Sequence, residues 1–276
     1  MTSAATPDDA RNYAELVADY AGRLQRYRET EIHTVRDDDD VENQTRDAGH
    51  DAHYLAVGQQ AAELTIAQLI AHRRPAPRRV LDYASGSGRV TRHLCAMYPD
   101  AEIGCLDLYD EHLDFVDRHF DVTTIRGAED PADVQLDPVW DLVFSGSLLT
   151  HLPERFFWPT IDAIARGLSP TGIALVTLEG RRAEEIQDTA WKLIEDDRFD
   201  RIRRAYRRKG FGFADYSAPM KKLFPSQQQY GIALVAPSWV MRGLEQRSEL
   251  RVLGYVERAW DEHQDVMVFG RPGAIG

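Results

Sequence analysis

The sequence has little of what secretion, membranes or metals would need. Cysteine is scarce: Cys95 and Cys105 are the only two in 276 residues, with no C-x-x-C spacing. Free thiols are therefore expected, rather than a disulfide framework or a thiolate metal site. No stretch approaches the roughly 20 apolar residues of a membrane span. The N-terminus has no basic start followed by an apolar run, so no signal peptide is expected. Positive charge is also short, with 33 Lys and Arg against 45 Asp and Glu and a net charge of −12. A general affinity for nucleic acid would call for a basic footprint. These absences predict a cytoplasmic protein without nucleic-acid or membrane partners. The 43% hydrophobic content is enough for a core, either one large domain or a domain with a small cap.

The chain is organised around Val80-Leu81-Asp82-Tyr83-Ala84-Ser85-Gly86-Ser87-Gly88-Arg89-Val90. Val80 and Leu81 read as the end of a buried strand that Asp82 closes. Gly86 and Gly88 permit a tight turn and a close approach to the backbone. Val90, Leu94 and Met97 then share a helix face. Strand, glycine loop and helix in that order can hold a cofactor over a helix N-terminus. A dinucleotide loop wants a third small residue, and Thr91 stands there instead. About twenty residues on, a second strand ends in Asp107, where a carboxylate can accept from both ribose hydroxyls of an adenine nucleoside. Leu108, next to it, is placed to pack on adenine.

On either side the pattern continues. Tyr13, Leu16, Val17, Tyr20 and Leu24 predict a helix over 11–27, and Leu55 to Ile70 a helix over 54–71, stopped by Pro75 and Pro77. Between them, Asp37 to Asp40 read as a solvated loop, since the run lacks the alternation and glycine of a calcium loop; no metal site is expected. Further strands are predicted at 122–126, 142–144 and 173–177, with helices at 111–119 and 156–167 and a turn at Pro170-Thr171-Gly172. Five alternations of strand and helix call for a doubly wound parallel sheet. Segment 179–229 breaks the rhythm, with helices over 183–194 and 199–206 and a basic run from Arg201 to Lys209. That run reads either as a solvated face paired with local acids or as a lid over an anionic group. After an apolar segment at 230–237, Ser238 is expected to cap a helix over 239–246. Two β-rich runs, 250–258 and 264–271, close the chain.

The Asp82, Gly86, Gly88 pattern resembles motif I of the class I S-adenosylmethionine-dependent methyltransferases. Trp140-Asp141-Leu142-Val143-Phe144-Ser145-Gly146-Ser147, with its trailing Leu149-Thr150-His151-Leu152, resembles motif IV of that family. The run from Trp260 to Val268 is similar to the C-terminal end of a bacterial small-molecule branch. The resemblance covers about Val80 to Pro272. It implies a Rossmann-like sheet, mostly parallel with an antiparallel last strand, plus N-terminal helices and a helical lid insertion. The expected division is an N-terminal helical cover (1–77), a cofactor-binding core (78–180), a lid (181–229) and a C-terminal part of the core (230–276). It further implies S-adenosyl-L-methionine as cofactor. Asp82, Ala84, Gly86 and Gly88 would hold the methionine tail, Asp107 and Leu108 the nucleoside, and Ala128 and Glu129, beside Gly127, the adenine edge. Ser145 and Gly146 would lie beside the sulfonium, with Ser147 toward the acceptor. Tyr54 resembles a tyrosine that lies over the cofactor in several such enzymes; packing under its helix is the other reading.

Methyl transfer from a sulfonium is an in-line displacement, so positioning and exclusion of water matter most. A hydroxyl acceptor must also lose a proton, and His151 and His263 are the candidate bases. Tyr230 and Trp260 could shape the acceptor pocket, although core packing is the common role of such residues. The expected activity is methylation of a small molecule, anionic or sugar-like, with oxygen favoured over nitrogen. Whether the chain forms a homodimer is left open. Two rivals are a non-catalytic binding or scaffold protein and an NAD-dependent oxidoreductase, against which Thr91 and the antiparallel last strand weigh.

Overall fold

The structure is a computed structural model that describes residues 7–36, 48–191, 193–218 and 229–274. The Asp37–Asp40 run lies outside them. Two long helices come first, α1 (Pro7–Glu29) and α2 (Ala48–Ala71). Strand and helix then alternate: β1 (Arg79–Tyr83), α3 (Thr91–Met97), β2 (Glu102–Asp107), α4 (Asp110–His119), β3 (Thr123–Arg126), β4 (Trp140–Ser145), α5 (Glu154–Gly167) and β5 (Leu168–Glu179). The insertion follows as α6 (Arg181–Ile186), a π-helical turn (Gln187–Trp191), α7 (Asp196–Lys209) and β6 (Phe211–Asp215). The chain ends with β7 (Gly231–Val235), α8 (Pro237–Glu245), β8 (Arg251–Trp260) and β9 (Gln264–Gly270).

The sheet is doubly wound. β1 lies between β2 and β4, parallel to both, with Asp82 level with Cys105 and Phe144. β3 extends one edge in parallel, and β5 lies parallel to β4 on the other. β9 is antiparallel to β5 from Ile173↔Gly270 to Glu179↔Gln264, and β8 pairs antiparallel with β9. This is the antiparallel ending expected from the sequence. The central strands read as unbroken apolar runs because helices cover both faces. On one face Val80, Leu142, Phe144 and Leu175 pack against Val57, Ala61 and Leu69 of α2 and Leu94 of α3. On the other, Leu81, Val143, Ala174 and Val176 pack against Phe157, Ile161 and Ile164 of α5 and Leu244 of α8.

Three local expectations need correction. Pro170-Thr171-Gly172 is not a turn between elements but lies inside β5. The β4–β5 register jumps from Trp140↔Leu168 to Leu142↔Ile173, so the irregularity absorbs the proline within the sheet. Ser238 does not cap α8; Ala236 holds that position without a side-chain bond, and Pro237 fills the first turn, where a missing N–H costs nothing. The insertion is not wholly helical, because β6 closes it.

The apolar 230–237 segment is strand β7, and its placement matters for function. It pairs antiparallel with β6 and joins β5 in parallel at Glu179↔Leu234. β9 already occupies one edge of β5 at Glu179. β7 therefore takes the edge that β4 leaves after Ser145↔Val176. The β6–β7 hairpin thus stands over the C-terminal end of β4, with α6 and α7 packed on it through Ala183, Phe199, Ile202 and Tyr206.

Candidate functional site

Four strand ends meet at the C-terminal edge of the sheet, the edge on which open α/β sheets bind ligands. After β1 the glycine loop takes left-handed backbone at three alternate residues, Ala84 (φ 68°), Gly86 (φ 53°) and Gly88 (φ 84°). At Gly88 a side chain would also meet the Phe120 ring at 2.9 Å. The loop is tied to β2: the Ala84 and Ser85 amides donate to Leu106 O at 2.8 and 3.0 Å. Asp107 ends β2 and gathers the loop. Its carboxylate accepts from the Gly86 amide (2.8 Å), the Tyr109 amide (3.0 Å) and His112 Nδ1 (3.2 Å). A carboxylate has about four acceptor sites, so capacity for a ribose hydroxyl remains. Leu108 follows, half-buried. Gly127 donates to Asp107 O at 2.7 Å, which sets Ala128, half-buried, and Glu129, exposed, beside the same strand end.

Asp82 is buried. Its carboxylate accepts from Thr91 Oγ1 at 2.7 Å and so pins the start of α3 to β1. Burial outweighs that bond and pushes its pKa up to about 7. Thr91, which departs from the dinucleotide pattern, is thus the partner of the motif's acid. Tyr54 reaches the loop through Arg92. The buried Arg92 guanidinium donates to Gly88 O (2.9 Å), His33 O (2.7 Å) and Val35 O (2.9 Å), and lies 3.5 Å from the Tyr54 hydroxyl. Arg36, Arg89 and Arg92 all lie within 5.9 Å of the Tyr54 ring centre. Sequence reasoning overlooked Arg92, since an arginine on a short helix reads as solvated. Its one signal was its place, four residues after Gly88.

After β4 come three small residues with different surroundings. Ser145 is fully buried, and its hydroxyl has no hydrogen-bond partner among the described residues. A side chain on Gly146 would meet the Trp260 ring at 2.7 Å and Phe144 at 2.9 Å. Ser147, at φ 54°, donates its amide to Thr177 Oγ1 (2.8 Å), and its hydroxyl accepts from Gln264 Nε2 (2.9 Å). Trp260 lies at the end of β8, 1% exposed, and donates its indole N–H to Val57 O at 2.9 Å. It packs the wall behind Gly146 and is core rather than an open aromatic face, which corrects its expected place in the acceptor pocket.

The two histidines are anchored differently. His151 ends a 3₁₀ turn after β4 and donates from Nδ1 to Gly231 O of β7 at 2.8 Å. The Tyr216 hydroxyl lies 3.0 Å from the same nitrogen, and the Tyr230 ring centre 4.7 Å from the imidazole. Since Nδ1 carries the proton, Nε2 carries the lone pair of the neutral ring. The structure thus brings Tyr230 and His151 together and adds Tyr216. His263 sits in the β8–β9 turn, with Nδ1 donating to Asp261 O. Asp261 is held from α2, its amide by Gln60 Oε1 at 2.7 Å and its carboxylate by His53 Nε2 at 3.4 Å. Burial depresses the His263 pKa, against the opposing pull of Asp261.

Glu179, absent from the sequence reading, ends β5. It is 2% exposed, and burial alone pushes its pKa up to about 8. The lid cations face local acids: Arg201 pairs with Asp197, Arg203 with Glu184 and Asp188, Arg207 with Glu184 and Lys209 with Glu154. Of the two readings of that run, the solvated, self-paired face is the one these contacts describe.

Comparison with known proteins bears on the domain and the fold. Residues 80–172 match a family model described as a methyltransferase domain. No curated protein matches the sequence. Among solved structures, an S-adenosylmethionine-dependent methyltransferase from Clostridium acetobutylicum superposes with a TM-score of 0.52 at 12% identity, over 77% of this chain and 91% of that one. A 1,6-didemethyltoxoflavin-N1-methyltransferase from Burkholderia thailandensis, solved with 1,6-didemethyltoxoflavin and S-adenosylhomocysteine, superposes with a TM-score of 0.53 at 13% identity, over 98% and 92%. At such identity the structures speak for the fold, and the family match speaks for the domain that the glycine loop opens. The glycine loop therefore opens a methyltransferase domain over residues 80–172, and the chain shares the fold of S-adenosylmethionine-dependent methyltransferases.

Proposed function

We propose that the protein transfers the methyl group of S-adenosylmethionine to a hydroxyl of a small molecule bound between the C-terminal end of β4 and the β6–β7 hairpin. The observation that carries this reading is His151, the one candidate base held by the hairpin itself. Ala84, Gly86 and Gly88 are the residues to hold the methionine tail, with Asp82 fixing them through Thr91. Asp107 is the ribose ligand, Leu108, Ala128 and Glu129 flank the adenine, and Ser145 and Gly146 lie at the sulfonium. Bound there, the cofactor supplies an electrophilic methyl group on a positive sulfur. Ser147 and the lid, with Tyr230 and Tyr216, bound the acceptor side and exclude water. His151 Nε2 takes the hydroxyl proton as the oxygen attacks, and His263 is the second candidate for that task. The small acceptor bound to the Burkholderia thailandensis enzyme supports a small molecule here, although that enzyme is an N-methyltransferase by name.

The test is calorimetric titration with S-adenosylhomocysteine and with NAD, using wild type and Asp107→Asn. Binding of the first alone, weakened about tenfold or more in the variant by loss of charge-assisted hydrogen bonds, is the expected result. Binding of NAD alone would overturn the reading. An S-adenosylmethionine consumption assay against a mixed pool of small hydroxyl compounds then separates an enzyme from a scaffold.

A further inference from the structure

The polar groups beyond β4 are unevenly satisfied. Ser147 is bonded to both Thr177 and Gln264. Strand alternation puts Glu179 on the same face of β5 as Thr177, and the β5–β9 register sets Gln264 directly opposite Glu179. Yet Glu179 Oε2 and Gln264 Oε1, both buried, have no hydrogen-bond partner among the described residues. A buried polar atom left unpaired is costly, and a buried carboxyl more so. Two such groups, set opposite each other by the strand register with no hydrogen bond between them, form a site for a group that brings N–H donors and positive charge. The nearby cations do not supply it: Arg181 pairs with Glu257, and Arg203 and Arg207 with Glu184.

We propose that Glu179, with the side-chain oxygen of Gln264, docks a protonated amine on the acceptor. The inference rests on the methyltransferase reading and names the acceptor class within it. Empty, the carboxyl is kept protonated by burial; when the ammonium enters, the carboxyl releases its proton to solvent and the pair forms. The points on β7 that face the two side chains are offset along the strand. His151 is bonded to Gly231 and Glu179 lies level with Leu234, three residues further along β7, or about 10 Å of extended strand. An acceptor that presents a hydroxyl to His151 and an ammonium to Glu179 is thus a compact amino alcohol, aminophenol or amino sugar. With Arg201, Arg203 and Arg207 already paired with local acids, this replaces the anionic acceptor suggested by the basic run.

Three probes share one phenol and differ only in the charge of the tail: tyramine, 4-ethylphenol and 4-hydroxyphenylacetate. Each is titrated into the protein saturated with S-adenosylhomocysteine. Tyramine is expected to bind about 30-fold more tightly than the neutral phenol, as for a desolvated charge pair, and the acid to bind least. Glu179→Gln should erase that preference and leave S-adenosylhomocysteine affinity unchanged. Glu179→Asp, which keeps the charge, should retain part of it, and thermal melts confirm that both variants fold. Absence of a tyramine preference in the loaded wild type overturns the proposal, as does a preference that survives Glu179→Gln. A parallel loss of S-adenosylhomocysteine binding also overturns it, because the carboxylate would then serve the cofactor. Failure of wild type to bind S-adenosylhomocysteine at all counts instead against the methyltransferase reading.

Discussion

Ala84 holds a conformation that its own side chain opposes. At φ 68° it lies in the left-handed region, which costs an ordinary L-residue about 1–2 kcal/mol. The tie from its amide to Leu106 O shows what holds it there. Ala84→Gly is therefore expected to raise stability by about 1 kcal/mol, or somewhat less because glycine is freer when unfolded. Denaturant melts check this, and an unchanged S-adenosylhomocysteine affinity would show that the loop's shape is kept. His151 allows a sharper test. In His151→Asn the side-chain amide can still donate to Gly231 O, but nothing replaces Nε2 as a base. With a hydroxyl acceptor, kcat should fall by about 10²–10⁴-fold while cofactor affinity holds. An equal loss in His263→Asn, with little change at His151, would exchange their roles.

At the scale of elements, the packing of α2 against the start of α3 depends on one close approach. Gly58 of α2 faces α3 so closely that a side chain would lie 2.3 Å from Arg89 O and 2.4 Å from the His93 ring. The backbone oxygen cannot turn aside, so Gly58→Ala must lift α2 away from α3. The neighbouring residues carry the consequence: Tyr54 sits one turn earlier beside Arg92, and Val57 O holds Trp260, which backs Gly146. The variant should lose about 1–3 kcal/mol, the usual range for overpacking, and should bind S-adenosylhomocysteine more weakly. Melts and titration read the two effects separately. The same elements show what the sequence could reveal. Strands of the parallel core were legible because burial on both faces writes continuous apolar runs, and the glycine loop because few residues tolerate its backbone. Ser145, Gly146 and Ser147 stood out as small residues at a strand end. Trp260 misled, because an indole reads alike in a wall and in a pocket. Arg92 and Glu179 were illegible for a different reason: a charged residue is read as solvated, and only tertiary packing reveals that it is buried. β7 was visible as an apolar run, but no local signal says that a strand of the C-terminal part will stand on the edge that β4 vacates.

For the whole molecule, the buried acids bear on stability against pH. Burial raises Asp82 to about 7 and Glu179 to about 8, whereas an unfolded carboxyl ionises near pH 4. Between those limits the folded chain holds protons that the unfolded chain has lost, so stability falls as pH rises and levels off above the folded values. His93 works in the opposite sense at lower pH. Burial lowers it to about 4 from an unfolded value near 6.5, and stability from this group is lost as pH falls through that interval. The contributions oppose one another below about pH 6.5, and only the carboxyls act above it. The folded protein without ligands should therefore lose about 2–3 kcal/mol between pH 6.5 and 8, measured as unfolding free energy from denaturant melts. In Glu179→Gln most of that slope should vanish, leaving the smaller share of Asp82. A stability that stays level or rises across this interval would mean that both carboxyls are already ionised, with counter-charges that compensate their burial. The amine of the acceptor ties this behaviour to function: once it is paired with Glu179, the carboxyl no longer needs its proton, so the bound protein should keep at pH 8 the stability that the free protein loses.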